Sequence, residues 1–253
     1  MTQQQAHFEY LLRLGDNALI LGHRLSEWCG HGPVLEQDIA MTNISLDQVG
    51  QARSILAHAG AVEGKGRNED NLAYLRDVWA YRNVLLVEQP NEDFAFTMVR
   101  QFLFDAFNFY LHEELKSSKD DQLRAIAEKS LKEIAYHLRF SSEWVIRLGD
   151  GTEESHRKMQ HALNSLWTYT GELTTPDEVD KRMQEAGIGA DLGRIQSLYD
   201  EKVAAILQEA TLEQPPVKYM QSGGKNGKMH TEYLGYILAE MQFVQRAYPG
   251  MEW

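Results

Sequence analysis

Only one cysteine, Cys29, stands among the 253 residues. That excludes an internal disulfide and a cluster held by several thiolates, since each needs more than one sulfur. Prolines are few, at six. No stretch alternates strictly between apolar and polar residues, and no paired turn residues mark a hairpin, so a β-rich fold is excluded. No apolar run approaches the roughly 18 residues that cross a bilayer. The first residues, MTQQQAHFEYLLRLGDNALIL, lack a basic segment leading into an apolar run and a small-residue cleavage site. No secretory leader is therefore expected, and the expected location is the cytoplasm. Positive charge is also scarce: 25 Lys and Arg face 37 Asp and Glu, a formal net charge of -12. Such a surface repels phosphate backbones and anionic lipid, so neither nucleic acid nor membrane is an expected partner.

What is present is helical periodicity nearly throughout. Apolar residues make up 43% of the chain, enough for a large core. Steps of three and four predict long helices over about 4–28, from Pro33 to about 58, 92–116 and 122–148. Shorter pieces are expected at about 68–87, 152–171, 176–186, 191–209 and 230–247, with a glycine-broken loop at 60–66. The expected architecture is all-α: two hairpins of long helices, over about 4–58 and 92–148, with additional helices over about 152–247. No linker separates them, so a single domain spanning 1–253 is expected. The third long helix is apolar on nearly every face, from Phe94 through Phe102, Phe107 and Leu111. Such a helix must be covered all round, by neighbours in the chain or by another subunit.

Gln48 and Gln51 pose the functional question. They sit three apart in SLDQVGQARSIL, residues 45–56. In ferritin-like di-iron bundles two helices each give a Glu and two give Glu-x-x-His, all pointing inward. Placing residues equally far from a turn at equal height pairs Gln48 and Gln51 with Asp16. The same rule pairs Ile134 and His137 with Arg100 and Gln101, with Asp105 one turn away. The positions are then Asp16, Gln48, Gln51, Asp105, Ile134 and His137. Two hard cations want several carboxylates and imidazoles; Gln is a weak neutral ligand and Ile is none. No metal is expected. The Gln amides are expected to satisfy each other and Asp16 by hydrogen bonds. Taken singly, two such glutamines are surface polar residues and His137 a hydrogen-bonded core histidine. A rival reading is a bundle holding metal through Asp16, Glu133 (four before His137) and His137, that is, an oxygenase in its own right. A further rival is a helical adaptor with no oxygenase connection.

A second group lies in a glycine-rich loop: Gly223, Gly224, Lys225, Gly227, Lys228 and His230, ahead of the last helix. Glycine turns and helix N-termini present N–H donors to anions. Contact with phosphates, docking of a partner subunit and a plain surface loop all remain open for it.

Several stretches resemble the PaaC family, the structural subunits of bacterial ring-1,2-phenylacetyl-CoA epoxidases. They are GDNALILGHRLSEWCGHGP at 15–33, NISLDQVGQAR at 43–53, KEIAYHLRF at 132–140, RLGDGT at 147–152, GGKNGKMHTEYLG at 223–235 and LAEMQ at 238–242. The resemblance runs over essentially the whole chain. It implies a ferritin-like four-helix bundle core and a non-catalytic structural role beside a paralogous A subunit. That partner would hold the di-iron centre and epoxidise the ring of phenylacetyl-CoA with oxygen and NADPH, in aerobic phenylacetate degradation. Electrons would come through a separate reductase carrying flavin or iron–sulfur groups. This chain would bind no cofactor of its own, and would dock the A subunit through a long-helix face that includes part of the third helix. Contacts with other epoxidase subunits and self-association are expected too.

Overall fold

A computed structural model describes residues 1–216 and 219–251. Among them ten α-helices form and no strand does. In chain order they are α1 (Gln3–Ser26), α2 (Leu35–Glu63), α3 (Glu69–Tyr74), α4 (Phe94–Leu115), α5 (Asp121–Gly149), α6 (Glu153–Leu166), α7 (Gly171–Thr174), α8 (Glu178–Glu185), α9 (Leu192–Glu209) and α10 (Glu232–Ala247). Where one domain is expected, the described residues gather into two compact units, 1–89 with 223–251, and 90–222. The division falls between the two long hairpins.

The first unit is built on the α1–α2 hairpin. Thr2 starts α1 with a capping box: its hydroxyl accepts from the Gln5 N–H at 3.1 Å, and the Gln5 side chain accepts from the Thr2 N–H at 2.8 Å. From Tyr10 to Leu25 α1 is buried almost without interruption. Two of its glycines let α2 approach closely. A β-carbon at Gly15 would meet Leu56 at 2.7 Å, and one at Gly22 would meet the Gln48 stem and the Ser45 carbonyl at 3.2–3.3 Å. Ser45 Oγ donates to the Gly22 carbonyl at 2.7 Å. α2 does not stop near residue 58. It continues through Gly60 and ends at Gly64, whose left-handed φ of +71° closes the helix.

Residues 68–87, expected as one helix, form only the short α3, followed by 3-10 turns at Val78–Ala80 and Leu85–Glu88. Their backbone donors serve α1 instead of a helical ladder. The Arg82 N–H goes to Asp16 Oδ2 at 2.8 Å and the Val84 N–H to Asn17 Oδ1 at 2.8 Å. The guanidinium of Arg24 donates to the Glu88 carbonyl at 2.8 and 3.1 Å. The result is a strap lying along α1. α10 holds it from outside, its Gln242 amide donating to the carbonyls of Ala73 and Arg76 at 3.1 and 3.0 Å.

The second unit is built on α4 and α5. Asp93 caps α4 and Asp120 caps α5, each accepting a backbone N–H at 2.9 Å. α4 is buried from Ala95 to Asn108, and α5, α6 and α9 of its own unit pack on it. Most of its apolar surface is therefore consumed within the chain. Phe94 at its start and Phe109, Tyr110, Glu113 and Glu114 near its end are half-exposed, so a docking face on this helix would be confined to those residues.

Candidate functional site

The hairpin heights differ from those expected. Gln48 lies beside Gly22, not Asp16, and Gly15 faces Leu56. α1 ends at Ser26 while α2 begins at Leu35, and the first turns of α2 run on past the end of α1. Equal counting from the middle of the loop therefore misplaces the partners by about two turns.

Asp16 is fully buried and committed elsewhere. Arg76, on the strap, grips both of its carboxylate oxygens, at 2.9 Å from Nη1 and more closely from Nη2. The Arg82 backbone N–H makes a third bond. Burial works against the Arg76 charge, but the Asp16 carboxylate outweighs it and holds the guanidinium above its usual range. The guanidinium also stacks on the Tyr81 ring, 4.3 Å from its centre. Gln48 takes no part. Its amide is fully buried, and neither Nε2 nor Oε1 has a hydrogen-bond partner among the described residues. The expected network joining the Gln48 amide to Asp16 is not formed. Gln51 is buried too.

In the second unit the structure selects Asp105 rather than Arg100. Arg100 turns to Asn91, donating from Nη2 to Oδ1 at 2.8 Å. Asp105 is fully buried; Gln101 Nε2 donates to Oδ1 at 2.7 Å and Ser141 Oγ to Oδ2 at 2.8 Å. Burial pushes the Asp105 carboxyl up to about 7, although the nearby His137 and both hydrogen bonds pull the other way. His137 and Ile134 are fully buried on α5, while Glu133 is half-exposed.

These residues do not fit a di-iron centre. One carboxylate is neutralised by an arginine, another is held near half protonation by burial, and the Gln-x-x-Gln and Ile-x-x-His positions add no acid. The rival set Asp16, Glu133 and His137 loses its first member to Arg76.

The glycine-rich loop is no open cradle. Gly223, Gly224 and Lys225 are buried, and a β-carbon at Gly224 would strike the Asn83 carbonyl. Donors just ahead of α10 are already engaged. The Thr231 N–H and Oγ each donate to Glu88 Oε2 at 2.7 Å, and His230 Nδ1 lies 2.6 Å from Oε1. Asn83 Nδ2 also donates to Oε1, at 2.9 Å. Glu88 thus supplies a carboxylate at the N-cap of α10, beside where an external anion would bind. Gly227 and Lys228 remain at the outer part of the loop.

The sequence reading missed Arg76, Arg82 and Glu88. A signal was available: RDVWAYR at 76–82 places four apolar residues in an unbroken run at 78–81, which is no helical period. That pattern suits an irregular strap whose arginines and N–H groups need partners.

The architecture and these filled frame positions define a class: an all-α protein of ferritin-like helical type in which protein groups satisfy the buried acids. Comparison with known sequences then fixes the family. The chain belongs to the family described as phenylacetic acid catabolic protein, whose model matches residues 1–253. It is 50% identical over 244 residues to the C subunit of the 1,2-phenylacetyl-CoA epoxidase of Escherichia coli (strain K12), covering 96% of this chain and 98% of that relative. Among the described residues no helix is long and apolar enough to cross a membrane.

Proposed function

We propose that this chain is the non-catalytic structural subunit of a phenylacetyl-CoA epoxidase, acting in phenylacetate catabolism. The observation that carries this reading is the 50% identity, over nearly the full length of both chains, to the C subunit of such an epoxidase. The site chemistry supports it. Asp16 is spent on Arg76 and Asp105 on Gln101 and Ser141, so the bundle interior is organised for rigidity rather than for oxygen chemistry.

On this reading the chain binds no cofactor. A paralogous A subunit holds the di-iron centre and does the epoxidation, with reducing equivalents from NADPH through a separate reductase. The chain contributes a preformed helical surface for that subunit. The test is iron content and activity together. After anaerobic incubation with Fe(II) and desalting, the purified chain should hold far less than one iron per molecule. It should convert no phenylacetyl-CoA alone, and co-expression with the A subunit should yield a stable complex that does so when supplied with reductase and NADPH. Tightly held iron in the isolated chain, or full activity of the A subunit without it, would overturn the reading.

A further inference from the structure

The first unit carries a cavity of about 760 Å3 between α3 and the end of α10. A volume of that size suits a small-molecule site. Tyr74 and Leu75 wall it on one side, and Tyr248 and Met251 on the other, with Asp70 and Gln245 as polar groups among them. Among the described residues no Lys, Arg or His lines it. The cations nearest in sequence are engaged by other groups. Lys65 and Arg67 pair with Glu63, and Arg246 donates to the Arg76 carbonyl and to Asp77.

The polar groups of this cavity select the sign of its ligand. Asp70 is exposed to it as a carboxylate. Burial, and then the Asp70 charge, holds the Tyr74 phenol above its usual range, so the two groups are neighbours. Gln245 Oε1 is buried with no hydrogen-bond partner among the described residues, an acceptor that lacks a donor. The C-terminal end of α10, the negative pole of its dipole, stands at the same place. Tyr74 and Tyr248 add aromatic rings, whose faces attract cations. A carboxylate, an idle amide oxygen, a helix C-terminus and aromatic rings all favour positive charge, and none favours an anion. We propose that this cavity binds a small organic cation, an ammonium or guanidinium group carried on a flat apolar body. The charged head meets Asp70 and Gln245 Oε1, and the body lies against Tyr248 and Met251. Such binding is independent of any role beside a catalytic subunit.

Isothermal titration calorimetry of the full chain with phenethylammonium tests this, with phenylacetate as a probe of similar size and opposite charge. The cation should bind with a Kd of about 1 mM or tighter, and the anion at least about tenfold more weakly. Asp70→Asn should weaken cation binding by about fivefold, the effect of a partly screened ion pair. Gln245→Leu should weaken it by about threefold, through the lost acceptor. Both variants should keep the wild-type helical circular dichroism. Methyl-labelled methionine locates the ligand by NMR: the Met251 signal should shift along the same binding curve. The proposal is overturned by no saturable binding of phenethylammonium, by equal affinity for the two probes, or by a Met251 signal that stays still. It is overturned as well by affinity indifferent to Asp70→Asn in a variant of unchanged helical content.

Discussion

The two units solve one problem in different ways. Each is built on a long helical hairpin, and each buries a carboxylate in it. In the first unit Asp16 is matched by a guanidinium brought in on the strap. In the second, Asp105 has only neutral donors bonded to it, and burial raises its carboxyl to about 7. Charge matching needs an extra element to carry the counter-charge; proton retention needs only a dry site. The units differ outside as well. Of the sixteen exposed large apolar side chains among the described residues, only Tyr136 and Tyr219 belong to the second unit. The rest lie mostly along α2 and around α10. The unit with the strapped, ion-paired interior is also the one with surface to offer a partner.

The contrast breaks most visibly at Asp16. Replacing it with Ala leaves Arg76 buried without its counter-charge. The expected loss is about 3–5 kcal/mol, the usual penalty for breaking a buried pair. Urea unfolding measures it. Replacing both members, with Asp16→Leu and Arg76→Met, should recover most of that loss, since the penalty belongs to the orphaned charge. A double variant as unstable as the single one would mean that the pair itself stabilises the fold.

For Asp105 the signature is pH dependence. Its carboxyl titrates near 7 in the folded chain, against about 4 in an unfolded one. Between these values the folded state binds the proton more tightly, so stability falls as pH rises from about 4 to 7 and then levels off. The unfolding free energy of the wild type minus that of Asp105→Asn should therefore fall by a few kcal/mol, on the order expected for a shift of this size, as pH rises across that window. A difference that does not change with pH would show that Asp105 is ionised throughout.

How far these features could be read in advance follows from which interactions are local. The long helices declare themselves because their apolar spacing repeats over many turns. The caps at Asp93 and Asp120 act within three residues. The polar partners are another matter. Arg76 reaches Asp16 across sixty positions, and only the folded strap sets that distance. The α1–α2 register was equally hidden. It depends on Gly15 and Gly22 seating Leu56 and Gln48, and a loop midpoint says nothing of that. Asp105 came within reach because the α4–α5 turn is short, leaving an error of one helical turn instead of two.

A smaller effect is expected at the clasp on Glu88, in the first unit. Four donor groups converge on its buried carboxylate. Glu88→Gln puts an NH2 group where acceptors are needed, with an expected loss of about 2 kcal/mol. Hydrogen exchange should quicken over 223–231 and leave α4 and α5 unchanged. Equal loosening of both units would show that the clasp serves more than the segment it holds.

The smallest expected change is a gain. Gln48 is the one frame position whose amide has both polar atoms buried without a partner among the described residues. An unpaired buried amide costs about 1–3 kcal/mol. Methionine has nearly the same length and flexibility, and no polar atom that needs satisfying. Gln48→Met should therefore raise unfolding stability by about 1 kcal/mol, the desolvation relief less a small packing mismatch beside Gly22. The same change at Gln101 should do the opposite, because that amide donates to Asp105. Opposite signs at two buried glutamines would separate an idle amide from a working one. A loss at Gln48 would mean that its amide is satisfied in solution, and the first unit would then hold a polar contact that the Asp16–Arg76 pair does not supply.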